Sequence, residues 1–269
     1  MTSGKTLRLR RFFRHKRTVI IPMDHPLYGG PVAGLEDPLK LVRTIATTEA
    51  DGVLASPWLF ARSAEVFGQL AVAARLDGGN SRLGQRVDQA LNVASVEQVL
   101  RYGAEMVAIN VFVGGENEPD MFLKLGETAD ACQTWGMPLL AEMIPATALE
   151  HHYGRQEMQE KDLSDPVAVV ARMGAEYGGD LVKTIYSGNQ AEFASAVCQA
   201  TVPVLVAGGP KTGSDAEFFA MVRECMDAGA AGVVMGRNIW QRPRVEGMVA
   251  ALCAIVHDDA TTEEALKLL

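Results

Sequence analysis

The feature that most constrains the fold of this 269-residue chain is a regular alternation of short apolar runs with longer amphipathic stretches. Eight runs have the length and composition of buried strands. They are Thr18–Asp24, Gly52–Ser56, Leu70–Leu76, Met106–Val113, Pro138–Ile144, Leu181–Tyr186, Pro203–Ala207 and Gly232–Met235. Helical patterns lie between them, among them Pro38–Thr47, Val96–Tyr102, Glu118–Thr134, Pro166–Tyr177, Asn189–Ala200 and Ala216–Ala228. This alternation predicts parallel strands whose faces are covered by helices.

Eight such units in about 250 residues fit a single (β/α)8 TIM barrel, an α/β fold. The alternative is an open doubly wound sheet, which an early GxGxxG turn would favour. The sequence has no such turn, and no linker divides it. We therefore expect one barrel domain over residues 18–269, preceded by a short helical extension over residues 1–17.

The charge of the chain is unevenly distributed. The net charge is −8, yet residues 1–17 hold seven Lys or Arg and no acid, so the rest carries 18 basic and 33 acidic residues. An acidic body argues against a nucleic-acid binder. The basic segment is open to two interpretations, an RNA-binding or targeting arm and an amphipathic helix anchored by Leu7, Leu9, Phe12 and Phe13. We favour the helix.

Two further classes of protein are disfavoured. The longest apolar runs have about eight residues, well below the roughly 18 needed to span a bilayer, and no secretory segment is present. The four cysteines have no CxxC spacing, which argues against a disulfide framework or a zinc site. A cytoplasmic protein without a metal is the simpler expectation.

Polar residues interrupt four of the predicted strands near their C-terminal halves. They are Asp24, Asn110, Glu142 and Lys183. Any one of them could be a structural polar group with its hydrogen bonds satisfied, which is an even alternative for Asn110 and Glu142. The C-terminal ends of barrel strands form the active-site face in this fold. Four polar residues from four strands therefore predict a catalytic mouth.

Lys183 is the most informative of these residues, because an exposed lysine does not need a strand interior. Burial favours the neutral amine, and a neutral amine condenses with a ketone or aldehyde to give a Schiff base. The iminium is an electron sink that allows an adjacent carbon–carbon bond to break or form. Tyr153 lies in a loop after the fifth strand, where it could move the proton, and Asp24 could hold the ammonium or a substrate hydroxyl. His25 follows Asp24 and is a candidate for lining the site.

Glycines at the ends of the last two strands predict a phosphate site. Gly208 and Gly209 end the seventh strand, and Gly236 with Arg237 follows the eighth. Glycine lets backbone N–H groups approach an anion, and these two loops form the recurring phosphate site of the barrel. Arg237 adds a charged donor, and Lys211 lies close by in the sequence. Either glycine group alone could serve only a tight turn.

Taken together, these segments resemble the archaeal-type class I aldolases, which include DhnA-type and DeoC/LacD-like aldolases. The matching stretches are IPMDHPLYGGPVAGLEDP (21–38), WGMPLLAEM (135–143), DLVKTIYSG (180–188), VLVAGGPKTGSDAEF (204–218) and GAAGVVMGRNIWQ (229–241). The second half is most similar to the heptulosonate synthases of that family. The resemblance covers almost the whole chain.

The resemblance implies a role for several residues of this chain. It assigns the Schiff-base lysine to Lys183, the acid/base tyrosine to Tyr153 and the strand-one aspartate to Asp24. It assigns the phosphate-binding backbone to Gly208, Gly209, Gly236 and Arg237. It implies a covalent imine without a metal or other cofactor, and a ring-built homo-oligomer, a decamer in some members. Asn110, Glu142, Lys211 and Arg155 are further candidates for lining the substrate.

The leading functional hypothesis is a lyase, a class I aldolase acting on a phosphorylated ketose of the fructose-bisphosphate type with a dihydroxyacetone-phosphate-type donor. A synthase joining such a fragment to an amino-acid semialdehyde and a coenzyme A-dependent thiolase are alternatives with the same lysine chemistry. An isomerase on a phosphate-binding barrel that never forms an imine represents a different class. We expect no nucleic-acid or membrane partner.

Overall fold

The computed structural model describes residues 2–79, 81–84, 88–149 and 163–269. Within these ranges, eight parallel strands close into a barrel in the spatial order β1-β10-β9-β8-β7-β6-β3-β2. Their bounds are β1 Thr18–Pro22, β2 Gly52–Ala55, β3 Ala71–Arg75, β6 Met106–Val113, β7 Leu139–Pro145, β8 Leu181–Ile185, β9 Val204–Ala207 and β10 Gly232–Val234. A two-stranded antiparallel hairpin, β4 Asp77–Gly78 and β5 Leu91–Asn92, lies outside the barrel sheet. The predicted TIM-barrel fold is confirmed.

Helices surround the barrel and cover its outer face. The longer ones are α1 Ser3–Phe12, α3 Pro38–Ile45, α6 Glu118–Trp135, α7 Ser164–Glu176, α8 Gln190–Gln199, α9 Asp215–Asp227 and α11 Val245–Asp258. The shorter ones are α2 Pro26–Gly29, α4 Pro57–Ala61, α5 Val96–Arg101, α10 Arg237–Trp240 and α12 Thr262–Leu266, with single 3₁₀ turns at Ala64–Val66 and Ala146–Ala148. None of the described helices is both long and apolar enough to cross a membrane.

Two apolar cores follow from the alternation of side chains along each strand. The outward-facing residues pack against the helices in one large cluster. The inward-facing residues form a smaller cluster at the barrel axis, and they include Ile20, Leu54, Ala73, Ala108, Leu140, Leu181, Leu205 and Val234. This axial cluster fills the middle of the barrel, so the barrel is closed to solvent below its C-terminal end.

Helix α1 closes the opposite, N-terminal end of the barrel. Phe12 is fully buried and belongs to the axial cluster. The Lys5 ammonium lies 2.7 Å from the Asp180 carboxylate, which also accepts the Leu139 N–H. Arg8 donates to the Gly136 carbonyl at 2.9 Å. Lys5 and Arg8 therefore bind the barrel itself, and Leu7 is exposed to solvent.

Candidate active site

A layer of charged and amide side chains lies directly above the axial apolar cluster, at the C-terminal end of the barrel. In four strands the polar residue comes two positions after an apolar member of that cluster, so both face the axis. The pairs are Ala73 and Arg75, Ala108 and Asn110, Leu140 and Glu142, and Leu181 and Lys183. Asn110, Glu142 and Lys183 are also direct register partners across β6, β7 and β8. The structure thus brings three of the predicted site residues into one row.

Lys183 is buried and paired with a carboxylate. Its ammonium nitrogen lies 2.6 Å from Glu142 Oε1, while Glu142 Oε2 accepts a hydrogen bond from Arg75 Nη2. All three side chains are nearly inaccessible to solvent. The sequence predicted that burial would favour the neutral amine or that Asp24 would hold the ammonium. In the structure the carboxylate that contacts the Lys183 nitrogen is Glu142 rather than Asp24.

Asp24 is held by Arg75 rather than by the lysine. Arg75 Nε donates to Asp24 Oδ2 at 2.8 Å, and Arg75 Nη1 lies 3.7 Å from Asp77 Oδ1. Burial alone would raise the pKa of Asp24, but Arg75, His25 and Lys183 together hold this pKa well below its usual range. Burial alone would lower the pKa of Arg75. The carboxylates of Glu142, Asp24 and Asp77 have the larger effect, and together they raise this pKa above its usual value. This pair is therefore charged at any physiological pH.

His25 lies at the edge of this layer, beside the following loops. Its Nδ1 is 3.5 Å from Asp24 Oδ1, and its ring packs edge-on against Trp240 with 5.3 Å between centroids. Trp240 is itself fixed, because its Nε1 donates to the Pro22 carbonyl at 3.0 Å. Burial lowers the pKa of His25, and the charges of Arg237 and Lys183 lower it further against the opposing effect of Asp24. The imidazole is therefore neutral at pH 7.

Asn110 is tied to the loop that follows β3. Asp77 accepts from the Asn110 backbone N–H at 2.6 Å and from its side-chain amide at 3.2 Å. Lys124 on α6 reaches the same carboxylate at 2.8 Å and also donates to the carbonyls of Ala90 and Asn110. Burial lowers the pKa of Lys124, and Asp77 opposes this effect. These contacts make Asn110 a structural partner of Asp77.

The predicted phosphate loops meet beside one another. The buried Asn238, at the start of α10, donates from its amide to the carbonyls of Gly208 and Pro210 at 3.1 and 3.0 Å. Its Oδ1 accepts from the Thr212 N–H at 2.8 Å. Asn238 therefore fixes the loop after β9 to the loop after β10.

A glycine is required at the second of these loops for packing. A Cβ on Gly236 would lie 2.6 Å from Trp240 Nε1 and 2.7 Å from the Pro22 carbonyl oxygen. Lys211 donates to the Gln241 carbonyl at 3.0 Å, so its position is set by the same segment. The glycine thus allows the β10 loop to pack closely against the end of β1.

A pocket of about 360 Å³ opens next to these loops. Ile185 and Ala207, at the ends of β8 and β9, form part of its wall, one step of the pleat above Lys183 and Leu205. That step is about 6.6 Å. The rest of the lining includes Tyr186 and the loop from Gly208 to Gly213. The pocket therefore begins one step of the pleat above Lys183 and extends along the predicted phosphate loop.

Sequence reasoning missed several residues that organise the site. Arg75 was missed although it stands at the end of an apolar strand, the same signal that identified Lys183. Asp77 and Lys124 carried no such signal, because a loop carboxylate and a helical lysine are ordinarily solvated. Two predicted site residues, Tyr153 and Arg155, lie outside the described residues.

At the opposite end of the barrel, His15, Asp51 and His257 place potential ligand atoms within 4.8 Å of one another. Asp51 already accepts from the Val19 N–H at 2.8 Å and contacts His257 Nε2 at 2.9 Å. The Arg14 guanidinium lies 3.3 Å from the same carboxylate. The two imidazole rings stack on each other. This arrangement is that of a satisfied buried carboxylate, which anchors the segment after α1.

Known proteins share both the sequence and this architecture. A 2-amino-3,7-dideoxy-D-threo-hept-6-ulosonate synthase of Halobacterium salinarum is 35% identical over 98% of this chain and 96% of its own. A 2-amino-4,5-dihydroxy-6-oxo-7-(phosphonooxy)heptanoate synthase of Streptomyces griseus is 31% identical over 96% of this chain and 92% of its own.

A solved structure extends the likeness to the fold. An archaeal fructose-1,6-bisphosphate aldolase, with its catalytic lysine covalently bound to the carbinolamine intermediate of the substrate, superposes with a TM-score of 0.84. It is 27% identical, and the match covers 95% of this chain and 100% of that one. The model of the DeoC/LacD family aldolases matches residues 18–242. The chain belongs to the DeoC/LacD family of aldolases.

Proposed function

We propose that the protein is a class I aldolase that forms an imine between Lys183 and the carbonyl carbon of a phosphorylated ketose of the fructose-bisphosphate type. The observation that carries this proposal is the placement of Lys183 in a buried polar layer, one pleat below a pocket that extends to the glycine loops. A covalently bound lysine in the archaeal aldolase supports the same chemistry.

The iminium on Lys183 would accept the electron pair of the carbon–carbon bond that joins the α and β carbons of the substrate, counted from the former carbonyl carbon. Cleavage releases an aldehyde and leaves an enamine, which is protonated and hydrolysed to a dihydroxyacetone-phosphate-type ketone. Glu142 lies close enough to balance the positive iminium as it balances the ammonium. The catalyst is the lysine itself, so the proposal requires no metal or cofactor.

The phosphate of the substrate would bind at the loops after β9 and β10. Gly208, Gly209 and Gly236 leave backbone N–H groups open to a close anion, and Arg237 and Lys211 supply positive charge. Their distance from Lys183, a step or two of the pleat, suits a carbonyl and a phosphate on one small molecule.

We propose that proton transfer to and from the substrate is carried out by residues around the C-terminal opening of the barrel. We assign Tyr153 the acid/base role at the substrate hydroxyl, and Arg155 a place beside the substrate. Asp24 holds Arg75 and lies next to His25, so we propose that its effect on the substrate passes through the neutral His25 imidazole. Asn110 would line the floor of the site.

A second candidate is a synthase of the transaldolase type that joins the enamine to an amino-acid semialdehyde. It is favoured by the relatives in Halobacterium salinarum and Streptomyces griseus. By name, their products are amino-substituted heptulosonates and heptanoates, and they are more similar in sequence than the archaeal aldolase is. Both candidates use the same imine, and they differ only in the aldehyde that the enamine meets.

Borohydride trapping tests the common step. The protein is incubated with dihydroxyacetone phosphate and sodium borohydride, and the peptide containing Lys183 is weighed by mass spectrometry. We expect a reduced adduct on wild type and on Lys40→Met, a control at an exposed lysine of α3, and none on Lys183→Met. An unmodified Lys183 peptide, with turnover of a phosphorylated sugar, would instead indicate an isomerase that forms no imine.

The acceptor is then identified by product analysis. Fructose 1,6-bisphosphate cleavage, followed by release of triose phosphate, supports the aldolase. Condensation with an amino-acid semialdehyde without such cleavage supports the synthase. Acetyl transfer to coenzyme A from a phosphorylated diketone would overturn both in favour of a thiolase.

We also propose a cytoplasmic homo-oligomer. All four cysteines, which lie in the described part of the chain, are free thiols, as a reducing compartment allows. Large apolar side chains are exposed at Leu83, Leu91 and Leu123, and the contact between Lys124 and the Ala90 carbonyl brings the last two near each other. Light scattering after size exclusion tests the assembly, and a single-chain mass would contradict it.

A further inference from the structure

The first turns of helix α1 lie against the N-terminal ends of β7 and β8, two neighbouring strands of the barrel. Lys5 is buried, and its ammonium donates to both oxygens of the Asp180 carboxylate, at 2.7 and 3.0 Å. Arg8 donates to the Gly136 carbonyl at 2.9 Å. Asp180 directly precedes β8, and Gly136 lies in the turn that leads into β7. Helix α1 therefore holds the starting points of both strands.

Asp180 also ties the start of β8 to the start of β7. Its backbone N–H donates to the Leu139 carbonyl, and its Oδ2 accepts the Leu139 N–H, both at 2.9 Å. Three residues further along the same ladder, Lys183 is the register partner of Glu142. A slip by one residue would turn the side chains of a strand to its other face. The pairing of Asp180 with Leu139 is thus the first contact of the register that brings Lys183 to Glu142.

The reactivity of an active-site group depends on its exact position, and a displacement of about 1 Å can cost on the order of 10²-fold in rate. We propose that Lys5 and Asp180 are positioning residues for Lys183, because together they fix the register of the two strands that carry this lysine and its carboxylate partner. Three residues of strand, about 10 Å, separate Asp180 from Lys183. Both residues therefore act through the β7–β8 ladder rather than by contact with the substrate. This inference rests on the proposed Schiff-base function.

Lys5 is needed because of where the Asp180 carboxylate lies. The Asp180 side chain is only 13% exposed, and its Oδ2 is shared between the Lys5 ammonium and the Leu139 N–H. A carboxylate with so little access to water is costly unless a charged partner compensates it. Without the ammonium, the carboxylate would gain free energy by turning towards water, and that rotation breaks its bond to Leu139.

A similar arrangement on the other side of the barrel provides a matched comparison. Asp51 directly precedes β2, accepts the Val19 N–H of β1 at 2.8 Å and lies 3.3 Å from the Arg14 guanidinium. In the barrel order, the β1–β2 pair lies opposite the β7–β8 pair. Arg14 therefore also joins the N-terminal segment to a carboxylate that binds the neighbouring strand, but beneath strands that do not carry Lys183.

The test measures the rate of imine formation in folded protein. The protein is mixed with saturating dihydroxyacetone phosphate, and the single-turnover rate of borohydride-trapped adduct is followed on the peptide containing Lys183. We expect Lys5→Met to lower this rate about tenfold or more, with the affinity for inorganic phosphate, measured by thermal shift, unchanged. Arg14→Met should trap at the wild-type rate. Lys5→Arg should trap faster than Lys5→Met, since a guanidinium keeps a positive charge opposite Asp180.

A double-variant cycle tests whether the two residues act as one unit. Asp180→Asn removes the charge that binds Lys5 but keeps an oxygen that can accept the Leu139 N–H, so we expect a smaller loss of rate than in Lys5→Met. The double variant should be no slower than Lys5→Met alone, because both changes remove the same contact. A loss equal to the product of the two single losses would contradict a shared role. If Lys5→Met does not fold, Lys5→Gln gives the readout.

The outcomes separate this inference from the function on which it rests. Wild-type protein that traps no carbonyl compound at Lys183 would overturn the proposed function and this inference with it. If wild type traps and Lys5→Met, or Lys5→Gln where that variant is used, is less stable but traps equally fast, the contact is only structural and the aldolase proposal stands. An equal slowing in Arg14→Met would also overturn the positioning role, because it would indicate a general loosening of the barrel.

Discussion

Arg75 is the residue on which the polar layer depends for its stability. Its side chain is 1% exposed, yet it lies among Asp24, Asp77 and Glu142, two of which it hydrogen-bonds. A buried charge is tolerated only where interactions with its partners offset the free energy lost when water is removed from it. Without this cation, only Lys124 and Lys183 would remain to neutralise the three carboxylates. The stability of the barrel and the placement of Glu142 and Lys183 therefore depend on the same contacts.

We expect Arg75→Met to lower the free energy of unfolding by about 3–5 kcal/mol, because it leaves buried carboxylates without their partner. Urea denaturation at pH 7 measures the change. Arg43→Met, at an exposed position of α3, should change stability by no more than about 0.5 kcal/mol. Equal losses in the two variants would contradict the structural role given to Arg75.

The same network predicts how stability depends on pH. The folded-state pKa of Asp24 lies below its ordinary value of 3.8, so at low pH the unfolded chain binds more protons than the folded one. The stabilisation is therefore complete above about pH 5 and is lost as pH falls toward the folded pKa. We expect Asp24→Asn to be less stable than wild type at pH 7 and to lose less stability between pH 5 and pH 3.

Unfolding free energies at several pH values test this expectation. Asp130→Asn, at an exposed position of α6, serves as the control and should follow the wild-type curve. A curve for Asp24→Asn that runs parallel to wild type would show that the pKa of Asp24 is not depressed in the folded protein.

Among the elements, the barrel strands were predictable and the pieces between them were less so. Eight apolar runs reappear as the eight barrel strands of the described chain, because continuous Val, Ile, Leu and Ala runs suit strands covered on both faces. The β4–β5 hairpin was not predicted, since two-residue strands carry no periodic signal. Its Asp77 enters the site through a turn that no spacing rule reveals.

The sequence predicts those site residues that are polar and lie within otherwise apolar strands. Lys183, Glu142 and Asn110 stand out because each interrupts an apolar strand. Their partners do not, since the pairing of Lys183 with Glu142 depends on the register between β7 and β8, which a single sequence does not encode locally. Asn238 was missed for the same reason, because its contacts join two loops that are 30 residues apart.

Helix α1 offers a test at the scale of an element. Phe12 is fully buried at the barrel axis, whereas Leu7 on the same helix is 60% exposed. We expect Phe12→Ala to cost about 3–5 kcal/mol of stability through the cavity that it leaves. Leu7→Ala should cost about 0.5 kcal/mol or less. Urea denaturation compares the two, and similar losses would show that α1 does not seal the barrel.

At the scale of the whole molecule, the basic residues predicted at the site do not all contribute free positive charge. The chain carries −8, and three of the predicted site residues, Lys183, Lys211 and Arg237, are basic. The structure neutralises Lys183 with Glu142. We therefore propose that attraction for an anionic substrate comes from the β9 and β10 loops, where backbone N–H groups would add to Lys211 and Arg237.

The barrel is one closed body only because its first and last strands pair. Thr18 and Gly232 are register partners at this seam, where β1 meets β10. Gly232 has φ of 145°, and a Cβ there would lie 2.2 Å from the Thr18 carbonyl oxygen. Any side chain at residue 232 must push the two strands apart, and the strain would reach every strand through the closed ladder.

We therefore expect Gly232→Ala to cost about 3 kcal/mol or more, since overpacking and unfavourable backbone geometry each cost about 1–3 kcal/mol. Gly126→Ala is the matched control, because Gly126 lies in the exposed interior of α6, where an added methyl would have no neighbouring atom within 4 Å. That variant should gain about 0.5–1 kcal/mol from helix propensity. Urea denaturation measures both changes, and a Gly232→Ala variant as stable as wild type would mean that the seam can open locally without weakening the barrel.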